Sequence, residues 1–409
     1  MHRYHYPKRK QRPDRKKAKI TLVITGTVVL LLGIHILTVA LPLLANGADN
    51  VLRPLIGSRN TVLLESLVFG VSDKTKQAIS HFAPPSRNVF ASGITTTVKE
   101  NPSLTPDPNL TPAPNLTPAP SVTPVPRLMK LLRIPAPSSL HPFPNEGVWQ
   151  PIPFGRFQNQ VLMARTIVSP DPQRNYAYAV LVKMAMSKLH VAAVAGGWQP
   201  GGPIGNPGAG TIPWTIAAHN QLIAAFNGGF QYKDGAYGMI IGKKVYVPLK
   251  KNLATLVIYE SGPAKIIDYT GQDLSSAVAT RQNGPMLIEN GTITAYTEKG
   301  IDTWGLTVTN SMYTWRSGIG ITRNGNLVYA VGPSLVPRTL AKALQAAGAV
   351  NAMQLDINPY WVRFILFHLQ SPGSYTYGPL LQKMANGGYS YLHGYQKDFF
   401  YVYTASSFR

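Results

Sequence analysis

Four short stretches carry the residues whose types and spacing could do chemistry: AAFNGGF at 224–230, RQNGPML at 281–287, WRSGIG at 315–320 and NAMQLD at 351–356. Asp356 is the carboxylate best placed for acid–base work, because it follows Met353, Gln354 and Leu355 out of an apolar run where burial can tune a pKa. Glu260, Glu289 and Asp234 lie near glycine in turns, where solvation is the expectation. Arg281 and Arg316 each come shortly before a glycine at the entry to an apolar run. A guanidinium offers a planar fork of donors suited to phosphate oxygens, and suited equally to an ordinary pair with a carboxylate or carbonyl. Asn227 is followed at once by Gly228 and Gly229. One glycine is enough for a turn, so either the second is slack or something comes close to the backbone there; bare N–H groups would suit an anion.

Each end of this set is delivered by a helix followed by a strand. A helix near Trp214 to Gln221 leads into LIAAFN, ending at Asn227, and the helix RTLAKALQAAG, stopped by Gly348, leads into NAMQLD, ending at Asp356. Ligands gather at the carboxyl ends of strands in such units. The surrounding texture is one of strands and hairpins: YAYAVLVKM at 176–184 and KLHVAAVAGG at 188–197 as strands, then GMIIGKKVYVP, ATLVIYESGPAKIID, GPMLIENGTI and SGIGITRNGNLVYAVG, each with a turn between two apolar runs. Asn290-Gly291 and Asn324-Gly325 read as type I′ turns, which need positive φ at both central positions. The aromatic tail GYSYLHGYQKDFFYVYTASSF reads as a terminal hairpin. The expected fold class is α+β, a mixed and mainly antiparallel sheet with a few packed helices.

The order AAFNGGF, RQNGPML, WRSGIGITRNGNLVYAV and TLAKALQAAGAVNAMQLD resembles the phosphodiester glycosidase family over roughly 192–367. The resemblance implies a hydrolase acting on a sugar phosphodiester. It implies catalytic roles for Asp356, Arg316 and Asn227, and substrate contacts from Gly228, Gly229, Arg281, Asn283 and Gly284. Where that family typically continues with glycines and serines after Leu-Asp, this chain has INPYW, 357–361. Proline and two large rings fill space that glycine would leave open. Tyr360 and Trp361 could stack on a sugar ring or enter the core. Three functions therefore stay open: a hydrolase, a domain that binds an anionic glycan or wall polymer without cleaving it, or a purely structural role on a stalk. The substrate in the first two cases is a carbohydrate or sugar phosphate.

Other chemistry is weaker. His190, His219, His368 and His393 show no ligand spacing, and the 409-residue chain has no cysteine, so neither a metal site nor a cofactor is expected. A serine-hydrolase elbow and a phosphate-binding loop signature are absent.

Ahead of the strand-rich part the composition changes three times. Residues 1–19 hold nine Lys or Arg against Asp14, and 20–45 contain no Asp, Glu, Lys or Arg. An apolar run of that length suffices to span a bilayer, and the basic flank places the amino terminus in the cytoplasm and the remainder outside. Residues 46–100 form a juxtamembrane segment with a helical pattern over 60–81, and 101–145 a linker. Four units, NPSLTP, DPNLTP, APNLTP and APSVTP, make 101–124 a polyproline-like spacer that would reach about 75 Å fully extended. Residues 146–409 are the folded domain. Of the formal charge of +22, ten units belong to that domain. A basic surface outside the membrane suits an anionic polymer and leaves nucleic acid an unexpected partner.

Overall fold

Alternation of apolar and polar residues from 150 onward resolves, in a computed structural model, into three antiparallel sheets. The structure describes residues 143–404 except 158–159, 175, 201–207, 261–263, 305–312 and 385; it also describes 89–91, 129, 131–135 and a few helical positions at 32–33, 36, 75 and 77–79. Residues 83–307 with 312–409 make one compact unit, and 1–82 with 308–311 a second. The apolar run 20–45, most of the 60–81 pattern and the repeats at 101–124 lie outside the described residues. Among those described, no helix is long and apolar enough to cross a membrane.

The largest sheet orders its strands Gln150–Pro151, Met163–Val168, Ala179–Met184, Leu327–Leu335, Thr314–Thr322, Ala349–Ile357, Met286–Glu289 and Thr292–Ile293. A second runs Lys244–Val247, Met239–Ile241, Ala277–Gln282, Leu253–Tyr259, Lys265–Tyr269. The third runs Ser374–Pro379, Phe364–Ser371, Leu222–Asn227, Phe399–Thr404, Leu189–Val194. The α+β expectation holds in its sheet-rich form.

The helix Pro337–Ala346 covers one face of the large sheet, with Leu340, Ala341, Ala343 and Leu344 packed on Leu181, Val328 and Ala330. Pro337 opens it, where a missing N–H is harmless; Thr339 Oγ1 accepts from the Val336 amide at 2.9 Å; and Gly348, at φ +92, lets the chain leave. Gly318 makes the close packing possible, since a Cβ there would lie 2.9 Å from the Met353 carbonyl. On the opposite face Tyr329 meets the third sheet through an aromatic cluster, its ring 5.2 Å from Phe226 and 5.0 Å from Phe364, with Phe400 5.4 Å from Phe226. This interlayer core aligns the ends of the Asn227 and Asp356 strands.

Three features differ from the sequence expectation. The tail is no hairpin: it forms a helix, Gly388–His393, and then a single strand, Phe399–Thr404, which inserts between Leu222–Asn227 and Leu189–Val194. Its aromatic alternation serves two buried faces, Phe400 in the interlayer core and Phe399 with Tyr401 in the outer cluster. The Asn290-Gly291 turn has both residues at positive φ, +49 and +84, but at 324–325 only Gly325 does, φ +76, and its amide donates to Thr322 carbonyl at 2.8 Å. That pattern is a type I turn closed by a glycine bulge. Finally, the core recruits residues from ahead of 146: Phe90 bridges Leu381, and the Ile134 amide donates to Gly147 carbonyl at 2.9 Å.

Candidate functional site

Asn227 closes its strand with every hydrogen-bonding capacity of the side chain used. Nδ2 donates to Ser317 Oγ at 2.9 Å and to Gly228 carbonyl at 3.0 Å; Oδ1 accepts from Tyr329 hydroxyl at 2.9 Å and from the Arg363 amide at 3.0 Å. Ser317 passes the connection on, donating to Asp356 carbonyl at 2.7 Å. Two donors and two acceptors exhaust an amide. Asn227, read from the sequence as a ligand-orienting residue, therefore pins strands of two sheets together through that side chain.

The paired glycines answer to a different neighbour. Gly228 and Gly229 donate their amides to Asp398, to its carbonyl at 3.1 Å and its Oδ2 at 3.0 Å, while Gly228 carbonyl accepts from the Asp356 amide at 3.0 Å. A Cβ on Gly228 would collide with the Asp398 carboxylate, and one on Gly229 would lie 2.9 Å from Arg281 Cζ. The group that comes close to this backbone is the chain's own ion pair. Arg281 reaches Asp398 Oδ2 from Nε at 2.7 Å and Oδ1 from Nη2 at 3.2 Å. Its remaining donors go to the carbonyls of Phe230 at 2.8 Å, Tyr237 at 3.2 Å and Gln282 at 2.8 Å. All five N–H groups are engaged and the residue is 1% exposed. Arg281 is thus a buried strut, and neither it nor the two glycine amides can hold a phosphate without dismantling the network.

Asn283 and Gly284 continue that strut. Asn283 accepts from the Phe230 amide at 3.0 Å and donates to the carbonyls of Gln354 and Leu355 at 3.0 and 3.1 Å; Gly284, φ +62, accepts from the Ala254 amide at 2.9 Å. Arg316 is fully buried beside the same strand, donating to Leu335 carbonyl at 3.0 Å and to Gln354 Oε1 at 2.7 Å. Burial lowers its pKa to about 9. Arg316, read from the sequence as a phosphate ligand, lies in the interior with its Nε and Nη1 donors bonded to the protein's own carbonyl and amide oxygens.

Asp356 differs from these residues. It is 4% exposed, its Oδ1 accepts from the Ile357 amide at 2.8 Å, and its Oδ2 pairs with Lys397, itself 4% exposed. Burial pushes the carboxyl up to about 6, against the opposing pull of Lys397 and the Ile357 amide, with Asp398 adding a smaller push upward. Over this pair the INPYW segment folds back. Asn358 takes φ +77, a left-handed conformation that asparagine tolerates without a glycine, and its carbonyl accepts from the amides of Trp361 and Val362, both at 3.2 Å. The turn sets the Trp361 ring 4.5 Å from Lys397 Nζ and leaves Tyr360 47% exposed.

The structure thus gathers Asn227, Gly228, Gly229, Arg281, Asn283 and Asp356 into one hydrogen-bonded corner, with Arg316 attached through Gln354 and Trp361 through Lys397. Sequence reasoning missed Lys397 and Asp398, which hold the two halves of the corner. The signal was present: a Lys-Asp pair stands directly before the run FFYVYT, where an exposed hairpin end has no need of it. Among the described residues no group of three or more His, Cys, Asp or Glu side chains could hold a metal ion.

Residues 220–356 match the model of the phosphodiester glycosidase family, a span that begins just ahead of Asn227 and ends on Asp356. The resemblance read from the sequence is therefore shown for that segment. Among solved structures, the catalytic domain of zebrafish N-acetylglucosamine-1-phosphodiester α-N-acetylglucosaminidase, auto-inhibited by its pro-peptide, is 15% identical, with 60% of this chain and 84% of that one covered at a TM-score of 0.37. A hypothetical protein from Synechocystis is 13% identical, with 56% and 59% covered at 0.27. No curated protein matches the chain.

Proposed function

We propose that the unit is a hydrolase of a sugar phosphodiester in which Asp356 is the general base, taking as premise the phosphodiester glycosidase match that ends on that residue. One observation carries the reading: Asp356, paired with Lys397 at a strand end that the other buried residues brace, has its carboxyl raised to about 6. Near neutral pH such a carboxyl is ionised yet still basic enough to take a proton from water. A phosphate leaving group departs as a stable anion, so the group that activates water matters more than one that protonates the leaving oxygen. Lys397 supports the carboxylate and has further N–H donors to orient an incoming oxygen.

The test is turnover of a model sugar 1-phosphodiester by the full chain and by Asp356→Asn. We expect turnover in the first and a loss of at least about a hundredfold in the second, the lower range for a positioned acid–base group. Equal rates would remove Asp356 from the reaction.

One observation favours a second reading. Trp361 lies on Lys397, and its chain neighbour Tyr360 is half exposed, so one aromatic ring is held at the pair and the next is open to solvent. A domain that binds anionic glycan without cleaving it would show salt-sensitive retention on anionic polysaccharide and no turnover in either form.

We also propose that the run 20–45 anchors the chain with its folded unit outside the cytoplasm. The uncharged span and the nine basic residues ahead of it support this placement. Alkaline extraction that leaves the chain in the membrane, together with digestion of the unit by protease added to intact cells, is the expected result.

A further inference from the structure

Arg363 meets Asn227 through its backbone: its amide donates to Asn227 Oδ1 at 3.0 Å, and its carbonyl accepts from the Asn227 amide at 3.1 Å and from Tyr329 hydroxyl at 3.2 Å. The side chain has no part in that network. Its guanidinium carbon lies over the Tyr395 ring, 4.9 Å from the centroid, and Tyr395 in turn meets Tyr391 edge-on at 5.1 Å. Gly387 leaves room for it, since a Cβ there would lie 2.5 Å from Arg363 Nη1, and Gly387 carbonyl accepts from the Tyr391 amide at 3.2 Å.

Among the described residues eight buried side-chain nitrogen or oxygen atoms take no hydrogen bond, and three of them belong to this one cluster: Arg363 Nε, Tyr391 hydroxyl and Tyr395 hydroxyl. Buried polar groups are nearly always satisfied, and leaving one unpaired is destabilising. Three together beside a reactive corner mark a place built for a ligand. The guanidinium only donates, and each phenol has a proton to donate: burial holds both hydroxyls protonated, against the opposing pull of Arg363, with Asp356 and Asp398 adding a push upward at Tyr395. A ligand that satisfies three donors, one of them cationic, is an oxyanion.

We propose that Arg363, Tyr391 and Tyr395 form an oxyanion subsite beside Asp356 that takes the phosphoryl group of the substrate. The part assigned to the phosphoryl group rests on the hydrolase reading; the anion site itself does not. The subsite supplies the phosphate contact that Arg281 and Arg316, consumed by the interior, are unable to give.

The test is calorimetric titration of the full chain with inorganic phosphate and, separately, with a sugar 1-phosphate, alongside the thermal midpoint of each unliganded variant. Tyr391→Phe and Tyr395→Phe keep the rings, and each should weaken binding about tenfold; Arg363→Met should weaken it about a hundredfold. The unliganded Tyr→Phe proteins should melt no lower than the parent, because each deletes an unpaired hydroxyl. That result separates a ligand contact from a structural one, even if Arg363→Met folds poorly. Tighter binding of sugar phosphate than of phosphate would place the phosphoryl group of the substrate here. Binding of either ligand that ignores all three substitutions, or no binding of either, overturns the subsite. Binding lost in the variants while the parent shows no turnover would leave the subsite standing and remove the hydrolase; turnover whose KM is unchanged in Arg363→Met does the reverse.

Discussion

Asp398→Asn isolates the argument that the paired glycines exist for an internal ion pair. The substitution keeps the shape and deletes the charge opposite Arg281, which is 1% exposed and whose guanidinium donates two bonds to that carboxylate, at 2.7 and 3.2 Å. Removing one partner of a buried pair leaves the other charge uncompensated and costs about 3–5 kcal/mol. For a unit of this size roughly 2–4 °C accompanies each kcal/mol, so the thermal midpoint should fall by about 6–20 °C. Replacing both partners, Arg281→Met with Asp398→Leu, removes both buried charges and should recover most of the loss. Denaturant titration and scanning calorimetry of the parent, Arg281→Met, Asp398→Leu and the double variant give the cycle directly, with Asp398→Asn measured beside them. An Asp398→Asn protein that melts within a degree or two of the parent would refute the reasoning, as would a double variant no more stable than Asp398→Asn. Substitution of Arg281 should change the thermal midpoint far more than it changes phosphate affinity; the opposite ordering would return that residue to the ligand.

The rate of the proposed hydrolysis should fall about tenfold per pH unit below about 6 and level off above it, the profile of a base that must be ionised, measured as kcat/KM over pH 4–9. The same shift has a stability consequence of opposite slope. With the folded pKa raised from 3.8 to about 6, the folded state holds the proton more tightly than the unfolded one, so this group's contribution is full below about 4 and is lost as pH rises through 6. Its size is about 3 kcal/mol, and the difference in midpoint between the parent and Asp356→Asn should change across that window and be flat above it. Gly228→Ala should destabilise by about 1–3 kcal/mol through the collision with Asp398, and by less when Asp398 is already alanine, where only the clash with the residue-398 carbonyl, 2.7 Å away, is left; equal losses in both backgrounds would assign the cost to that backbone contact and not to the carboxylate.

The two helix-strand units were legible because their signals are local: a proline and a glycine bracket the helix Pro337–Ala346, and uninterrupted apolar runs end at Asn227 and Asp356. Asn290-Gly291 was legible for the same reason, while at 324–325 the hairpin accommodated one more residue and only the glycine kept positive φ. The partners of the charged residues were not legible. Arg281 finds Asp398 across 117 residues, and a guanidinium looks the same in sequence whether it faces a phosphate or a carboxylate of its own chain. The tail misled because period-two aromatics describe a strand without saying how many of its faces are buried; Phe399–Thr404 is central, with both faces covered. Its last residues before the strand, Lys397 and Asp398, were overlooked with it.

Those two residues explain why one corner can be both rigid and reactive. They are consecutive, yet they serve different partners: Asp398 is held by Arg281 and the Gly229 amide, while Lys397 turns to Asp356 and the Trp361 ring. The Arg281 pair has all five guanidinium donors engaged, so it has nothing left to exchange with solvent or substrate. The Asp356 pair is bound through one carboxylate oxygen, with a carboxyl whose proton affinity burial has raised toward neutrality. The saturated pair fixes the position of Asp398 and, through the peptide bond, the position of Lys397. A carboxylate tuned for proton transfer is unstable unless its counter-ion is held in place, and here the counter-ion is held by the neighbouring residue's ion pair. The second glycine of Asn-Gly-Gly is therefore a requirement of Asp356, reached through Arg281, Asp398 and Lys397: a side chain there would displace Arg281, loosen Asp398, and let Lys397 leave the carboxylate it steadies.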